Sequence, residues 1–451
     1  MERNYRIAII GSGPSGFFSA EHLLRLNPNC EVDMYERYPD PFGLVRRGVA
    51  PDSQNIRNVS KAFDEIAKNP RFIYFGNVDV GIDVSLNELR PFYDAIILAC
   101  GMETSQRLGI PGEDLYGSYT ASSIVGWYNC HPVYQSLDIK LDRERVFIIG
   151  MGNVAIDVAR ILTRPIEELK GTDISDNALE TLKTSKIKEI YIVGRRGPAQ
   201  VKFKENELLT LGEIGETDIL INPEELILNE ASDEEVKASP SLQRIMDILK
   251  RFSETKPTRK RRIYFLFLRT PIRIEGQGRV ERVLFEKNVL EGMPNKQKAT
   301  GSGEIEVHEC DYIISSIGYR GNKFPGVPYD EMKGIIPNIA GRVVKEGTVI
   351  HGLYVTGWIK RGPVGLIGNN KPDSLETVKN LLADLPTLPL CEYPQRNNLI
   401  QYLKDKDIKF ITYEEWKKLD QYELEQGEKE GKVRKRLCDV EEMLKLLNKV
   451  R

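Results

Sequence analysis

Three glycines near the start of the chain have the spacing of a phosphate-binding turn. Gly11, Gly13 and Gly16 lie between a short apolar run and a segment with apolar residues at helical spacing. In such a turn the first glycine permits the sharp bend, the second lets the backbone approach a pyrophosphate, and the third lets helix and strand pack closely. The start of the helix adds unpaired N–H groups and a partial positive charge. The pattern predicts a dinucleotide site here.

Glu36 strengthens this prediction by its position. It lies twenty residues after Gly16, at the end of the next predicted strand. A carboxylate there can accept hydrogen bonds from a ribose 2′-hydroxyl. The alternative is a plain tight turn beside a surface glutamate, but a strand, turn, helix and acid in register favour a nucleotide site.

A second turn of the same kind ends differently. Gly150, Gly152 and Ala155 again lie between a strand and a helix, and the strand that follows leads into Arg195 and Arg196. Two guanidiniums can grip a 2′-phosphate that a carboxylate would repel, which predicts NADP rather than NAD. The alternative is a pair of solvated surface arginines. Two sites with opposite ribose preferences indicate bound FAD at the first turn and exchanging NADPH at the second.

The elements that must position these residues are two βαβ units and two further buried strands. Each unit shows an apolar run, a glycine turn, a helical segment and a second apolar run. The runs 93–101 and 311–319 each end in a small residue and a glycine, as in the strands where flavoproteins with two dinucleotides cross between domains.

The predicted fold is α/β, with two Rossmann-like dinucleotide-binding domains. We expect the NADPH domain, residues 104–325, to be inserted into an FAD domain made of residues 1–103 and 326–451. Residues 204–262 are polar and charged, which predicts helices and loops on the surface of the inserted domain. From residue 397 the pattern predicts amphipathic helices packed on the outside.

Composition excludes several other classes of protein. The chain has 451 residues and a formal net charge of −2, so nothing general favours a nucleic acid or an anionic membrane as partner. No apolar run approaches the roughly 20 residues of a spanning helix. None of the six cysteines forms a C-x-x-C pair or a zinc or cluster spacing. Only five residues precede the first predicted strand, which leaves no room for a transit peptide.

With these residues assembled, the chain resembles the adrenodoxin reductase family, the ferredoxin–NADP reductases of the glutathione-reductase-like type. The resemblance runs almost end to end, and it is carried by PFGLVRRGVAPD (41–52), GNVDVGIDV (76–84), GMGNVAIDVARIL (150–162), GRRGPAQVKF (194–203) and GWIKRGPVGLIG (357–368). The last of these is the most specific.

The resemblance implies roles that the residues alone do not. Ser15, Glu36, Leu44 and Val80 match flavin-contacting positions; Met151, Gly152, Asn153, Val154, Arg195, Arg196 and Glu207 match NADP contacts; Trp358, Gly365, Leu366 and Ile367 match the place where flavin and nicotinamide meet. Considered without the family, Trp358 is a core aromatic residue and Gly365 a turn residue.

The chain departs from the family at one position. Ser53 stands where the family usually has histidine after APD, so any docking or proton-handling role of that histidine must be met otherwise. Asp157 matches a family position linked to the same region, although an aspartate on a helix is usually just solvated.

The implied activity is transfer of a hydride from NADPH to FAD and then of single electrons to a [2Fe–2S] ferredoxin that serves iron–sulfur assembly or a cytochrome P450. A disulfide reductase would need C-x-x-C, and a small subunit of glutamate synthase would need an N-terminal cysteine-rich segment. A flavin monooxygenase does not fit GWIKRGP together with GRRGP. A nucleotide-binding module without turnover remains the alternative from another class.

The expected partner is an acidic ferredoxin, so a basic docking face is expected. Arg244, Lys250 and Arg251 lie in a basic segment, with Arg244 and Arg251 on one helical face and Ile245, Ile248 and Leu249 on the other. A solvated basic face is an equally good interpretation. Family resemblance further implies a monomer with no membrane span, in mitochondria or a derived organelle, with a cytoplasmic location as the alternative.

Overall fold

A computed structural model of the chain describes residues 4–449. The chain divides into two compact units, one formed by Met1–Thr104 with Tyr319–Arg451 and the other by Ser105–Gly318. The first unit therefore combines both ends of the chain, and the second is a single continuous segment.

The strands, in chain order, are β1 (Tyr5–Ile10), β2 (Cys30–Tyr35), β3 (Phe72–Phe75), β4 (Ala95–Leu98), β5 (Thr104–Ser105), β6 (Ser118–Thr120), β7 (Arg145–Ile149), β8 (Glu189–Val193), β9 (Thr217–Leu220), β10 (Arg261–Leu266), β11 (Arg269–Glu275), β12 (Arg282–Glu291), β13 (Lys298–Glu309), β14 (Tyr312–Ser315), β15 (Tyr319–Arg320), β16 (Asn338–Ile339), β17 (Arg342–Lys345) and β18 (Thr348–Val355).

The α-helices are α1 (Pro14–Leu26), α2 (Leu44–Arg47), α3 (Gln54–Arg57), α4 (Val59–Ala67), α5 (Leu86–Leu89), α6 (Ala121–Tyr128), α7 (Asn153–Thr163), α8 (Ile166–Lys170), α9 (Asp176–Lys183), α10 (Glu205–Gly212), α11 (Glu230–Ala238), α12 (Pro240–Ser253), α13 (Trp358–Arg361), α14 (Asn370–Asp384), α15 (Arg396–Asp405), α16 (Tyr413–Lys429) and α17 (Val440–Leu446). None of the helices in residues 4–449 is long and apolar enough to span a bilayer.

A seven-stranded sheet in the order β16-β17-β18-β4-β1-β2-β3 forms the centre of the first unit. The strands from β18 to β3 run parallel, and β16 and β17 extend one edge in antiparallel fashion. The chain passes from β1 to β2 on one side and later returns to β4 on the other. The carboxyl end of β1 is thus a topological switch point, where open α/β sheets bind their ligands.

Strand β1 is buried on both faces, which explains its unbroken apolar sequence. Ile7 and Ile9 belong to a core cluster that includes Phe17 of α1. Ala8 and Ile10 point to the opposite face and pack in a second cluster. The strand is therefore held from both sides, and the position of the turn that follows it is fixed.

The second unit repeats this plan with a six-stranded parallel sheet in the order β6-β14-β7-β8-β10-β9. Strand β7 lies between β14 and β8, so the carboxyl end of β7 is again a switch point. A separate antiparallel sheet contains β11, β12 and β13. The prediction of helices and loops alone for residues 204–262 was wrong, because the short edge strand β9 and the start of β10 fall within it.

Amphipathic helices at the end of the chain are confirmed. Helices α15 to α17 occupy residues 396–446. Trp416, Leu419 and Met443 are buried in the same cluster as Ile7 and Phe17, so α16 and α17 cover one face of the first sheet. Leu399 and Leu403 of α15 are buried in the cluster on the opposite face.

Candidate functional site

The first glycine turn has the geometry that its sequence predicts. Gly11 has φ +110°, and a Cβ on it would lie 2.5 Å from the Ala99 carbonyl oxygen. A Cβ on Gly16 would overlap the Gly11 carbonyl oxygen. The bend therefore requires glycine at Gly11 for conformation and at Gly16 for close packing of helix against strand.

Gly13 differs from its two neighbours because the protein leaves space beside it. A Cβ there would have no protein atom within 4 Å, and its φ of −73° is one that any residue can adopt. Gly13 is the residue before Pro14, where α1 begins. The open space lies beside the helix N-terminus and its N–H groups, which is a cradle of the kind that fits the pyrophosphate of FAD.

Glu36 is fixed against this turn. The Ser12 hydroxyl donates to Glu36 Oε2 at 2.6 Å, and the Ser12 N–H donates to the same oxygen at 3.2 Å. The Tyr38 N–H donates to Oε1 at 3.3 Å. A carboxylate has about four lone-pair positions, so acceptor capacity is left for a ribose hydroxyl. The structure thus brings the acid and the glycines to one sheet edge.

Two further segments of the first unit contact the same turn. A Cβ on Gly43 would lie 2.9 Å from the Gly13 Cα, so the segment that leads into Leu44 adjoins the cradle. The Ser15 hydroxyl donates to Asn370 Oδ1 at 3.1 Å, and a Cβ on Gly357 would overlap the Ser15 hydroxyl. Val80, in contrast, is a buried residue of the core cluster that contains Ile10.

Trp358 follows Gly357 directly and starts α13. Its indole Nε1 is buried, yet it has no hydrogen-bond acceptor among residues 4–449. The Trp358 ring lies 5.8 Å from the ring of Tyr319, centroid to centroid. A buried donor without an acceptor is costly. Trp127 and Trp416 share this feature among the described residues, but both are core side chains, whereas Trp358 is only partly buried and so leaves room for a bound group.

The Gly365–Ile367 segment follows on the same loop. A Cβ on Gly365 would lie 2.7 Å from Asn369 Oδ1, and that oxygen accepts the Leu366 N–H at 2.8 Å. Any side chain at Gly365 would disturb this hydrogen bond. Leu366 is exposed and Ile367 is partly buried against the core.

The second glycine turn repeats the first in detail. Gly150 has φ +136°, and a Cβ on it would overlap the Ser316 carbonyl oxygen. A Cβ on Gly152 would have no protein atom within 4 Å, and α7 begins at the next residue, Asn153. Ala155 is buried in the place of the third glycine. Here too the space lies beside a helix N-terminus.

Two residues of this turn accept hydrogen bonds from the segment that follows β8. The Met151 carbonyl accepts the Lys202 N–H at 2.8 Å, and Asn153 Oδ1 accepts the Lys204 N–H at 3.0 Å. Val154 lies in the first turn of α7 and is partly exposed. The turn and the segment 194–204 therefore form one edge of the second unit.

Arg195 and Arg196 lie at this edge, after β8. Arg195 is exposed and Arg196 is half-buried. Across the part of the chain that the structure describes, neither guanidinium forms a salt bridge, and the polar contact of Arg196 is with the Gln200 carbonyl at 3.5 Å. Two guanidiniums that form no salt bridge among the described residues, beside a phosphate cradle, suit a 2′-phosphate.

Asp157 is not a solvated helix aspartate. Arg160, whose side chain is 1% exposed, contacts Asp157 Oδ1 at 2.7 Å and Glu207 Oε2 at 3.5 Å. The buried guanidinium therefore links the two acids that the family resemblance singles out on α7 and α10.

Part of the positive charge of the basic segment on α12 is paired with an acidic residue. Arg244, Lys250 and Arg251 are exposed and Ile245, Ile248 and Leu249 are buried, as the helical pattern predicts. Arg244 Nε, however, donates to Glu205 Oε2 at 2.6 Å. The positive charge available on this face comes from Lys250 and Arg251. Ser53 lies elsewhere, in the first unit, before α3.

Three of the free thiols are poorly suited to redox chemistry. Burial raises the pKa of the Cys30 thiol to about 12 and that of Cys100 to about 11. Burial also raises the pKa of Cys310 well above its ordinary range. These groups are protonated at neutral pH and poor nucleophiles.

Comparisons with known proteins match the first part of the chain to a family and nearly the whole chain to individual relatives. The family described as "Pyridine nucleotide-disulphide oxidoreductase" matches residues 5–191. The chain is 41% identical to "NADPH-ferredoxin reductase FprA" of Mycobacterium tuberculosis, which covers 98% of this chain and 99% of the relative. It is 39% identical to "NADPH:adrenodoxin oxidoreductase, mitochondrial" of Arabidopsis thaliana, over 98% and 95% of the two chains.

A solved structure is similar over the same length. "Mycobacterium tuberculosis FprA in complex with NADPH" superposes with a TM-score of 0.93 at 40% identity, and covers 98% of this chain and 99% of that one. The α/β fold predicted from the two glycine turns is confirmed by this similarity.

Proposed function

The chain belongs to the family of NADPH-ferredoxin and NADPH:adrenodoxin oxidoreductases, and on that premise we propose that it oxidises NADPH through bound FAD and reduces an acidic [2Fe–2S] ferredoxin. One observation carries the proposal. Two matching glycine turns end in opposite charges, with a fixed carboxylate, Glu36, at the first and Arg195 and Arg196 at the second. A dinucleotide without a 2′-phosphate suits the first, and NADPH suits the second.

FAD is assigned to the first unit. Gly11, Gly13 and Gly16 form its pyrophosphate cradle, Glu36 accepts from a ribose hydroxyl, and Ser15, Leu44 and Val80 flank the cofactor. The chemistry that FAD supplies when bound is acceptance of a hydride and release of its two electrons singly.

The role of Trp358 is orientation. Its buried Nε1–H is free to donate to a group on the cofactor. The backbone at Gly365, Leu366 and Ile367 is held by Asn369 and carries no side chain at its first position, so it can lie flat against a ring. We place these four residues at the flavin.

NADPH is assigned to the second unit. Gly150 and Gly152 admit its pyrophosphate, Met151, Asn153 and Val154 border it, and Arg195 and Arg196 bind the 2′-phosphate. Arg160 pairs with Asp157 and Glu207 and orients both acids, and its charge reduces their repulsion of an anionic substrate. No proton-transfer step is assigned to Ser53, because hydride and electron transfer need no acid–base pair there.

The ferredoxin is assigned to the basic face of α12, with Lys250 and Arg251 as the main contacts and Arg244 as a weaker one. Electrostatic docking of an acidic partner at this face would weaken as added salt shortens the Debye length, which is about 8 Å at physiological ionic strength.

Location, pathway and assembly are finer proposals. Relatives of similar identity include a bacterial protein and one named as mitochondrial. We retain a mitochondrial site and a monomeric state as proposals, to be tested by organelle fractionation and light scattering. The ferredoxin serves iron–sulfur assembly or a cytochrome P450, which affinity purification from the native source would distinguish.

The test is reduction of two acceptors by the FAD-loaded protein and NADPH. We expect NADPH to bleach the yellow flavin spectrum and to reduce both ferricyanide and a plant-type [2Fe–2S] ferredoxin. Lys250→Glu with Arg251→Glu should slow ferredoxin reduction about tenfold at low salt by reversing the docking charge, and should leave ferricyanide reduction nearly unchanged.

A matched control is Lys186→Glu with Lys298→Glu, which makes the same change in net charge at exposed sites elsewhere in the second unit. This control should reduce ferredoxin normally. A protein that binds NADPH without bleaching would contradict the proposed function, and equal slowing in both double variants would contradict the proposed docking face only.

A further inference from the structure

The loop that carries Arg195 and Arg196 is held from one side by strand β12 and the turn before β11. Asn288 Nδ2 donates to the Arg195 carbonyl at 2.8 Å, and the Leu268 N–H donates to the Arg196 carbonyl at 3.2 Å. Asn288 is buried. The backbone on this side of the loop is therefore fixed by ordinary neutral hydrogen bonds.

On the other side the loop is held by a buried polar cluster. The loop ends in Gln200, whose Nε2 donates to Glu235 Oε2 at 2.9 Å and to the Ser232 hydroxyl at 3.0 Å. Gln297 Nε2 donates to Glu235 Oε1 at 2.9 Å, and the Asn295 N–H donates to the same oxygen at 2.7 Å. Glu235 is 5% exposed.

The cluster requires a carboxylate at its centre. Two amide NH₂ groups and one backbone N–H converge on the two oxygens of Glu235, and an ionised carboxylate is the side chain that only accepts. Burial alone raises the pKa of Glu235, but the hydrogen bonds from Gln297, Gln200 and Asn295 and the charge of Arg196 outweigh it and lower the pKa. Glu235 is thus charged at neutral pH.

A buried charge is costly unless it is hydrogen-bonded and paired with an opposite charge. Neutral donors surround the oxygens of Glu235, and the charge of Arg196 adds a smaller effect that also lowers its pKa. The Gln200 side chain binds Glu235, while its carbonyl lies 3.5 Å from an Arg196 nitrogen. Gln200 therefore connects the buried carboxylate to the arginine.

We propose that Glu235, acting through Gln200, is a positioning residue that fixes the 194–200 loop so that Arg195 and Arg196 select the 2′-phosphate of NADPH. This proposal rests on the assignment of the two arginines made above. It assigns a specificity role to α11, which lies outside both glycine turns.

Simple electrostatics makes the opposite prediction, which gives the proposal a clear test. Removal of a negative charge near Arg196 would raise the positive potential of the site and tighten anion binding. Loss of positioning would instead weaken the binding of a 2′-phosphate and leave the rest of the nucleotide unaffected. The direction of the change therefore distinguishes the two effects.

The experiment is calorimetric titration of the FAD-loaded protein with 2′,5′-ADP and with 5′-AMP. Glu235→Gln should weaken the binding of 2′,5′-ADP about tenfold, which is the effect of one displaced charge-assisted hydrogen bond. The affinity for 5′-AMP should stay within about twofold of the wild-type value. Glu234→Gln is the matched control, because it removes the same charge from an exposed neighbour on α11 and should change neither affinity.

Gln200→Met provides a second variant that leaves the carboxylate in place and cuts its link to the loop. It should weaken the binding of 2′,5′-ADP similarly. The double variant should bind 2′,5′-ADP no more weakly than the single variant with the lower affinity, because both changes break one connection. Tighter 2′,5′-ADP binding in Glu235→Gln, or an equal change in both ligands, would overturn the proposal. A wild-type protein that fails to prefer 2′,5′-ADP would instead overturn the assignment of the arginines.

Discussion

At Gly13 and Gly152 a single missing side chain creates the space for a ligand. A Cβ at either position would meet no protein atom within 4 Å, whereas one at Gly11 or Gly150 would meet a carbonyl oxygen. Substitution of the two kinds of glycine should therefore have different effects. A change at Gly11 strains the fold itself, and a change at Gly13 leaves the fold intact and fills the cradle.

Gly13→Val should therefore produce a folded protein without flavin, because the new side chain takes the place of the pyrophosphate. The measurement is the ratio of FAD to protein after purification, with circular dichroism to verify the fold. Gly171→Val is a suitable control, since a Cβ at Gly171 also has no neighbour within 4 Å but lies at the end of α8. Normal flavin content in Gly13→Val would contradict the placement of FAD.

The sequence predicted the two turns well because their residues lie close together along the chain. It could not predict the orphan N–H of Trp358, the acceptor shell of Glu235, or the pairing of Arg244 with Glu205. Each of these depends on contacts between distant segments, and no local spacing encodes them.

At the scale of elements, the short helix α2 is fixed to the C-terminal helix α16 by buried charges. Asp40 pairs with Arg46 and Arg47, and Arg46 also donates to Glu423 Oε1 at 2.5 Å. The Arg46 guanidinium lies 4.8 Å from the centre of the Trp416 ring. Because α2 begins at Leu44, beside the Gly13 cradle, the last part of the chain supports the FAD site.

This network predicts a dependence of stability on acid. Burial alone would raise the pKa of Asp40, but the charges of Arg47 and Arg46 lower it to about 2, below its ordinary 3.8. A depressed pKa contributes stability that is fully present above the unfolded-state value and is lost as pH falls through the folded-state value. The loss should therefore occur between about pH 4 and pH 2.

Asp40→Asn should lower the free energy of unfolding at pH 7 by at least about 2 kcal/mol and flatten its decrease between about pH 4 and pH 2. Urea unfolding at several pH values measures both effects. Asp405→Asn, at an exposed residue of α15, should change neither. An unchanged slope in Asp40→Asn would mean that Asp40 does not carry the acid dependence.

The apolar runs in the sequence predicted the helix-covered sheets of both units, but they did not predict every strand. Strand β9 has four residues at a sheet edge within an acidic segment, so its short apolar run gives little signal. The antiparallel sheet of β11 to β13 has exposed polar residues along most of β13. Strand β9 is stabilised by pairing with β10, which follows it by about 40 residues, whereas β11, β12 and β13 pair with their neighbours along the chain.

At the scale of the whole molecule, each unit repeats one design with a different charge. Each has a parallel sheet with a switch point at the carboxyl end of its first long strand and a glycine turn there. Glu36 completes one turn, and Arg195 and Arg196 complete the other. The two turns thus present opposite charges to a bound nucleotide, and they do so with a few residues at each edge.

The most direct test of this account is the ratio of kcat/KM for NADPH to that for NADH, measured by ferricyanide reduction in the wild type and in Arg195→Ala with Arg196→Ala. Each lost charge-assisted hydrogen bond is worth about 1.5–3 kcal/mol, so the account predicts a strong wild-type preference for NADPH that falls by a factor on the order of 100 or more in the double variant. The value for NADH should hardly change, since NADH has no 2′-phosphate. A double variant that loses activity equally with both substrates, or that keeps the wild-type ratio, would contradict the account.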